Sequence, residues 1–322
     1  MSSVTRMLLS VLVVSACSDS DDDPQDAAVA DDDVENAEQT VDTSEITEIE
    51  IAVDDFMFEA RAAGPEDGPG VILLHGFPQT SYAFRHQVAA LAEQGYRAVA
   101  PDQRGYSPGA RPLEVEDYGV ELLAQDVIGM ADALGFERFH LIGHDWGAVV
   151  AWTVGGGHSD RLITLTTLSV PHPDSLVSFS SSDSTPAYIT FLVQPGSEDQ
   201  LLANDAGLLR SIYDGLEPED VDVYVERLGT SEALGAAINW YRAAQLVQDP
   251  VLVGQVGVPT MFIWSDQDEA VSYGGVIDSE GYVDAPYRYE ILEGVNHWIP
   301  DVVPDVLSGL LVDHLGAYPD GS

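Results

Sequence analysis

The residue of this sequence whose setting most favours chemistry is an aspartate between two glycines. The segment 143–147 reads Gly-His-Asp-Trp-Gly, between an apolar run at 139–142 and a small, apolar run at 148–152. This order predicts a strand, a sharp turn and a helix, with the Asp145 carboxylate projecting from the turn. A carboxylate that attacks saturated carbon forms an ordinary ester that water can cleave, so an alkyl electrophile is the expected substrate. The alternative is that Asp145 caps the helix N-terminus.

Two partners for this carboxylate follow late strands. A predicted strand at 260–264 is followed by Asp266 and Asp268, and another at 287–292 is followed by His297. The chain order nucleophile, acid, histidine is the order expected for a strand-to-helix nucleophile turn. His297 would deprotonate water, and the acid would orient its ring and stabilise the imidazolium. We predict Asp268 as this acid, with Asp266 as the alternative.

Two backbone N–H groups are predicted to stabilise the oxyanion that forms when the ester is hydrolysed. One belongs to Trp146, the residue after the nucleophile. The other belongs to Phe77, in the loop His-Gly-Phe-Pro that follows the apolar strand 71–74. Donors of this kind act where negative charge develops in the transition state. The Phe77–Pro78 bond is a candidate for the cis form because it lies in a tight turn.

Four motifs together carry a family resemblance. The segments at 75–78, 102–107, 143–148 and 294–298 resemble those of α/β-hydrolase-fold epoxide hydrolases, and the resemblance runs from about residue 49 to 315. It implies two lid tyrosines that donate hydrogen bonds to the epoxide oxygen. Tyr241 and Tyr188 lie in segments similar to the two tyrosine segments of that family. A phenol, with an ordinary pKa of about 10, stays protonated at neutral pH and can serve as this donor.

Besides epoxide hydrolysis, two other functions fit the same turn, namely dehalogenation and binding without catalysis. Haloalkane dehalogenases share the Asp-Trp pair, but they commonly hold halide with an asparagine after His-Gly, where this chain has Phe77, or with a lid tryptophan. Fluoroacetate dehalogenases follow the nucleophile with arginine, and Trp146 stands there in this chain. A non-catalytic binding protein with the same fold is the third possibility. The expected substrate is a small epoxide or related alkyl electrophile, and no metal or organic cofactor is implied.

The alternation of strands and helices predicts an α/β protein with a doubly wound, mostly parallel sheet. The strand-helix rhythm breaks after residue 172 and resumes near 251, which predicts a helical lid at 173–250 inserted into a core of 46–172 and 251–322. Strands are expected at 46–51, 56–60, 71–74, 96–100, 139–142, 162–168, 260–264 and 287–292. Helices are expected at 81–93, 120–134, 219–227, 234–247 and 303–315.

The charge balance restricts possible partners. The 322 residues include 55 Asp and Glu against 12 Lys and Arg, all of them arginine, for a formal net charge of −43. Such a surface repels nucleic acid and anionic lipid headgroups. An acidic surface without lysine resembles those of proteins adapted to high salt, where screening relieves self-repulsion. Stability that increases with salt is therefore expected.

The N-terminal segment predicts export. Arg6 precedes an apolar run at 7–14, and small residues follow up to Cys17, the only cysteine. This pattern describes a secretory signal at 1–17, too short to span a membrane, whose end resembles a bacterial lipobox. Cys17 would then carry the lipid, and the aspartate-rich stretch 18–45 would be a disordered tether. The expectation is a periplasmic or outer-membrane lipoprotein, or a secreted protein, whose only membrane contact is this anchor.

Overall fold

A mixed eight-stranded sheet forms the centre of the protein. The structure, a computed structural model, describes residues 45–175, 186–247, 252–270 and 278–321. The strand order is β1-β2-β4-β3-β5-β6-β7-β8; β1 and β2 are antiparallel to their neighbours, and all other pairs are parallel. The strands are β1 Thr47–Val53, β2 Phe56–Ala63, β3 Gly70–Leu74, β4 Arg97–Pro101, β5 Phe139–His144, β6 Leu162–Leu168, β7 Thr260–Ser265 and β8 Tyr287–Leu292. This is the doubly wound, mostly parallel sheet that the sequence predicted.

The central strands are mainly apolar because helices cover both faces of the sheet, and their few polar residues, such as His140 and Thr166, are buried with them. Every residue of β3, β5, β6 and β7 is buried. Successive side chains of a strand point to opposite faces, so Leu141 joins one hydrophobic cluster and Ile142 the other. The helices are α1 Arg85–Glu93, α2 Val120–Ala133, α3 Trp146–Gly157, α4 Ala187–Leu192, α5 Ser197–Ile212, α6 Pro218–Leu228, α7 Ser231–Ala244, α8 Ile299–Val302 and α9 Pro304–Ala317.

Several element ends differ from the sequence prediction. The predicted helix 81–93 begins as a 3₁₀ turn at Ser81–Phe84, because the Thr80 side chain accepts the hydrogen bond of the Tyr82 N–H and starts the turn there. The helix predicted at 234–247 spans Ser231–Ala244, since the Thr230 hydroxyl accepts from the Ala233 N–H. Such capping fixes a helix start that hydrophobic periodicity leaves open.

Helices α4 to α7 follow β6 in the chain and cover the ends of the central strands. α4 and α5 were not predicted as separate helices, and α5 is interrupted by non-helical residues at 203–206. Side-chain hydrogen bonds hold this lid to the core. Among them, the Tyr213 hydroxyl donates to Pro78 O and the Trp240 indole donates to Arg104 O, each at 2.8 Å. Among the described residues, no helix is long and apolar enough to cross a bilayer.

Candidate active site

Asp145 occupies the turn between β5 and α3 in a backbone conformation that few non-glycine residues adopt, with φ 52° and ψ −120°. A Cβ at Gly143 would lie 2.2 Å from Gly147 O, and a Cβ at Gly147 would lie 2.1 Å from Leu74 O. Strand and helix therefore approach closely only because both positions lack a side chain. The Asp145 side chain makes no capping hydrogen bond to α3. The helix-cap alternative is thus not realised.

The Asp145 carboxylate instead lies between two backbone donors and a histidine. Its Oδ1 accepts the Phe77 N–H at 2.8 Å, and the Trp146 backbone N–H also hydrogen-bonds to the carboxylate. Its Oδ2 lies 3.7 Å from His297 Nε2, which is beyond hydrogen-bond distance. Burial raises the pKa of Asp145, while His297 and the two N–H groups oppose that shift. The Phe77–Pro78 peptide bond is cis.

His297 is held by Asp268. Its Nδ1 lies 2.8 Å from Asp268 Oδ2, and the Asp268 side chain is fully buried. Burial alone would lower the pKa of His297, but the hydrogen bond and charge of Asp268, together with the charge of Asp145, raise it above its usual value. The rival acid, Asp266, is exposed and accepts the Gly294 N–H at 2.6 Å. The structure places Asp268 against His297.

The two lid tyrosines lie over this group. Tyr241 on α7 is buried, with its ring centroid 5.1 Å from that of Trp146 and 5.2 Å from that of Phe77. Tyr188 on α4 is half-exposed, and its ring centroid lies 6.4 Å from that of Tyr241. Burial first, and then the Asp145 carboxylate, raise the pKa of both phenols. Both hydroxyls therefore keep their protons at neutral pH.

A cavity of about 740 Å³ brings these groups together. It contains Asp145, His297 and both tyrosines, and its wall is mainly apolar. Its lining residues are Phe77, Asp145, Tyr188, Phe191, Leu192, Leu201, Leu208, Ser211, Ile212, Asp214, Tyr241, Gln267, Glu269, Ala270, Asn296, His297 and Trp298. A second cleft, of about 870 Å³, lies beside β1 and β2 and contains none of the predicted site residues.

The sequence reasoning missed a set of buried groups behind His297. His144 Nε2 lies 2.8 Å from the His297 carbonyl oxygen, and its Nδ1 lies 3.1 Å from Gln79 Oε1. Gln79 Nε2 in turn donates to Asp301 Oδ2 at 2.7 Å. Burial lowers the pKa of His144 to about 3, so this imidazole is neutral. The position of His144 directly before Asp145 is the only sequence signal for this set, because its members lie up to 222 residues apart in the chain.

Two sequence predictions concern residues outside the described ranges, the lipidated cysteine and the acidic tether. Cys17 precedes the first described residue, as does nearly all of the predicted tether. Within the described ranges, no group of three or more His, Cys, Asp or Glu side chains is arranged to hold a metal ion.

Comparisons with known proteins match this chain to one family model and to proteins named epoxide hydrolases. Residues 69–302 match the family model described as alpha/beta hydrolase fold. The chain is 31% identical over 297 residues to Epoxide hydrolase A of Mycobacterium tuberculosis, covering 79% of this chain and 92% of that protein. It is 31% identical over 274 residues to Epoxide hydrolase 3 of Xenopus tropicalis, covering 80% of this chain and 74% of that protein.

Solved structures similar to this chain also include epoxide hydrolases. Epoxide Hydrolase A from Mycobacterium thermoresistibile superposes with a TM-score of 0.75 at 26% identity, over 84% of this chain and 98% of that chain. An epoxide hydrolase from Vigna radiata also gives a TM-score of 0.75, at 27% identity, over 86% of this chain and 100% of that chain.

Proposed function

Because the chain belongs to the α/β-hydrolase family, in which the relatives named above are epoxide hydrolases, we propose that it converts epoxides to vicinal diols through an ester on Asp145. The observation that carries the proposal is the Asp145 carboxylate, held by the N–H groups of Phe77 and Trp146 opposite His297 in a cavity roofed by two phenols. A carboxylate so placed suits attack on saturated carbon.

The first step forms the ester and opens the ring. Oδ1 of Asp145 is occupied by the Phe77 N–H, so Oδ2 is the oxygen that attacks an epoxide carbon. The carbon–oxygen bond of the ring breaks, and Tyr241 gives its proton to the departing oxygen while Tyr188 donates a hydrogen bond to it. The raised pKa of each phenol keeps this proton available. Tyr241 is itself hydrogen-bonded by the Trp146 side chain, which favours the phenolate that it becomes.

The second step hydrolyses the ester. His297 takes a proton from water, the resulting hydroxide attacks the ester carbonyl carbon, and Asp268 stabilises the imidazolium. The negative charge moves to Oδ1, where the N–H groups of Phe77 and Trp146 stabilise it. Collapse releases the diol, whose alkoxide takes a proton from the imidazolium. The second proton of the water, left on the Asp145 carboxyl group, returns to the Tyr241 phenolate, which restores the phenol and the carboxylate of Asp145 with one oxygen from water.

One contact and one residue type support epoxide opening over release of halide. The Trp240 indole, the lid group that could hold halide, donates to Arg104 O at 2.8 Å and is buried. The residue after His-Gly is Phe77, whose side chain offers no donor. A screen of styrene-type and aliphatic epoxides at high salt, scored by diol formation, tests the proposal, with haloalkanes scored by halide release in parallel. Asp145→Ala is the inactive control. Halide release without diol formation would favour dehalogenation, and inertness towards every compound would favour a binding protein.

We also infer that the protein is exported as a lipoprotein, with Cys17 lipidated and its membrane contact limited to that anchor. The apolar run 7–14 and the small residues before Cys17 support this inference. Metabolic labelling with a radioactive fatty acid should label the wild-type protein and not Cys17→Ser. Equal labelling of the two, or no labelling of either, would contradict lipidation at this residue.

A further inference from the structure

The catalytic cavity has an apolar interior and an acidic rim. Asp214 and Glu269 are exposed residues that line it where it meets solvent. Both are held close to the catalytic histidine: Glu269 follows Asp268 in the chain, and the Asp214 carbonyl oxygen accepts from Asn296 Nδ2 at 3.2 Å. Two acidic residues therefore lie on the solvent-exposed part of a mainly apolar cavity that contains Asp145.

The described lining of the cavity contains no arginine or lysine that could offset these carboxylates. The internal segments outside the described ranges (176–185, 248–251 and 271–277) contain neither residue type, and the chain has no lysine at all. The three arginines of the lid helices are already paired: Arg210 with Asp222 at 2.6 Å, Arg242 with Glu198 at 2.5 Å, and Arg227 with Glu59 and Asp102. A carboxylate or phosphate on a substrate would thus find no arginine or lysine among the described lining residues of this cavity.

We propose that this cavity selects uncharged, mainly apolar epoxides and rejects epoxides that carry an anionic group, with Asp214 and Glu269 as the specificity-determining residues at its rim. The inference rests on the proposed epoxide hydrolysis. Two effects act in the same direction. The rim carboxylates repel an incoming anion, and the apolar interior leaves a substrate anion desolvated and unpaired. Repulsion from the rim is screened by salt, whereas the desolvation penalty is not.

The test compares two epoxides of nearly equal size and shape, 4-(oxiran-2-yl)benzamide and 4-(oxiran-2-yl)benzoate. The measured quantity is the ratio of kcat/KM for the amide to kcat/KM for the carboxylate, at low salt and at 1 M salt. The test variant is Asp214→Asn/Glu269→Gln. The matched control is Glu66→Gln/Asp67→Asn, which makes the same change in net charge at exposed residues of the turn before β3, at the opposite end of that strand from Phe77.

The wild-type ratio is expected to be at least about fivefold at low salt, the effect of two unit charges at about 8 Å in a water-like dielectric. It should fall in the rim variant and in 1 M salt, and stay unchanged in the control. Equal kcat/KM for the two epoxides, or a ratio that the rim and control variants change alike, would overturn the inference while leaving epoxide hydrolysis intact. Failure to hydrolyse all three compounds, namely the amide, the carboxylate and styrene oxide run beside them, would contradict the proposed function itself and the inference with it.

Discussion

Replacing Asp268 with asparagine is expected to slow hydrolysis of the Asp145 ester by about 10²–10⁴-fold. The structure shows why so small a change should matter. Asp268 Oδ1 accepts the Ala270 N–H at 2.8 Å, and Oδ2 faces His297 Nδ1 at 2.8 Å. An asparagine would keep its oxygen against the Ala270 N–H, so its NH₂ group would face Nδ1. Nδ1 would then have to act as an acceptor, and the proton would move to Nε2, the atom that must take a proton from water.

The magnitude has two parts. The loss of one charge-assisted hydrogen bond to a fully buried carboxylate costs about 1.5–3 kcal/mol, or roughly 10- to 150-fold in rate. The unfavourable tautomer adds a further factor, which brings the total into the expected range. Single-turnover kinetics with the neutral epoxide measure formation and hydrolysis of the ester separately. Formation should change much less than hydrolysis, because His297, the partner of Asp268, acts as a base only in the second step.

Asp266→Asn is the matched control, since this exposed neighbour contacts the backbone of Gly294. Its ester hydrolysis should remain within about threefold of wild type, as is usual for surface substitutions. Equal defects in the two variants, or a normal hydrolysis rate in Asp268→Asn, would refute the assignment of Asp268 as the acid that serves His297.

Four further outcomes are expected. In single turnovers, Tyr241→Phe should slow ester formation about 10²-fold, and Tyr188→Phe, at a half-exposed residue, about tenfold. Ester formation at the wild-type rate in both variants would contradict their role as donors. Protonated His297 is no base, so ester hydrolysis should fall as pH decreases. Because the nucleophile's negative charge helps to raise the pKa of His297 and is lost in the ester, the midpoint of that fall should lie below the pKa of His297 measured by NMR in the free enzyme. Asp126→Ala leaves the buried Arg104 unpaired and should lower the free energy of unfolding in urea by about 3 kcal/mol. The melting temperature should rise between low and molar salt, and a steady fall would contradict adaptation to high salt.

The part of the site closest to the nucleophile could be predicted because it is local in sequence. The glycines on either side of Asp145 mark the sharp turn, and the Phe77 loop follows an apolar strand whose parallel neighbour in the sheet is β5. The carboxyl ends of parallel strands meet at one edge, which brings Phe77 to the Asp145 carboxylate from 68 residues away.

Other parts required the folded chain. The sequence left Asp268 and Asp266 open because both follow β7, and only the turn that buries the first and exposes the second distinguishes them. The lid helices α4 and α5 escaped detection because their ends depend on contacts across the lid rather than on a strong periodic pattern. The pairing of Tyr213 with Pro78 spans 135 residues and has no local signal.

The ester on Asp145 is the central claim, and mass spectrometry of His297→Gln tests it most directly. This variant keeps the nucleophile and the two tyrosines but has no base, so the ester should form and persist. Incubation with styrene oxide should raise the intact mass by that of the whole epoxide, because ring opening expels no fragment, and peptide mapping should place the added mass on Asp145. An adduct on another residue, or none while the wild-type enzyme forms diol, would contradict the account.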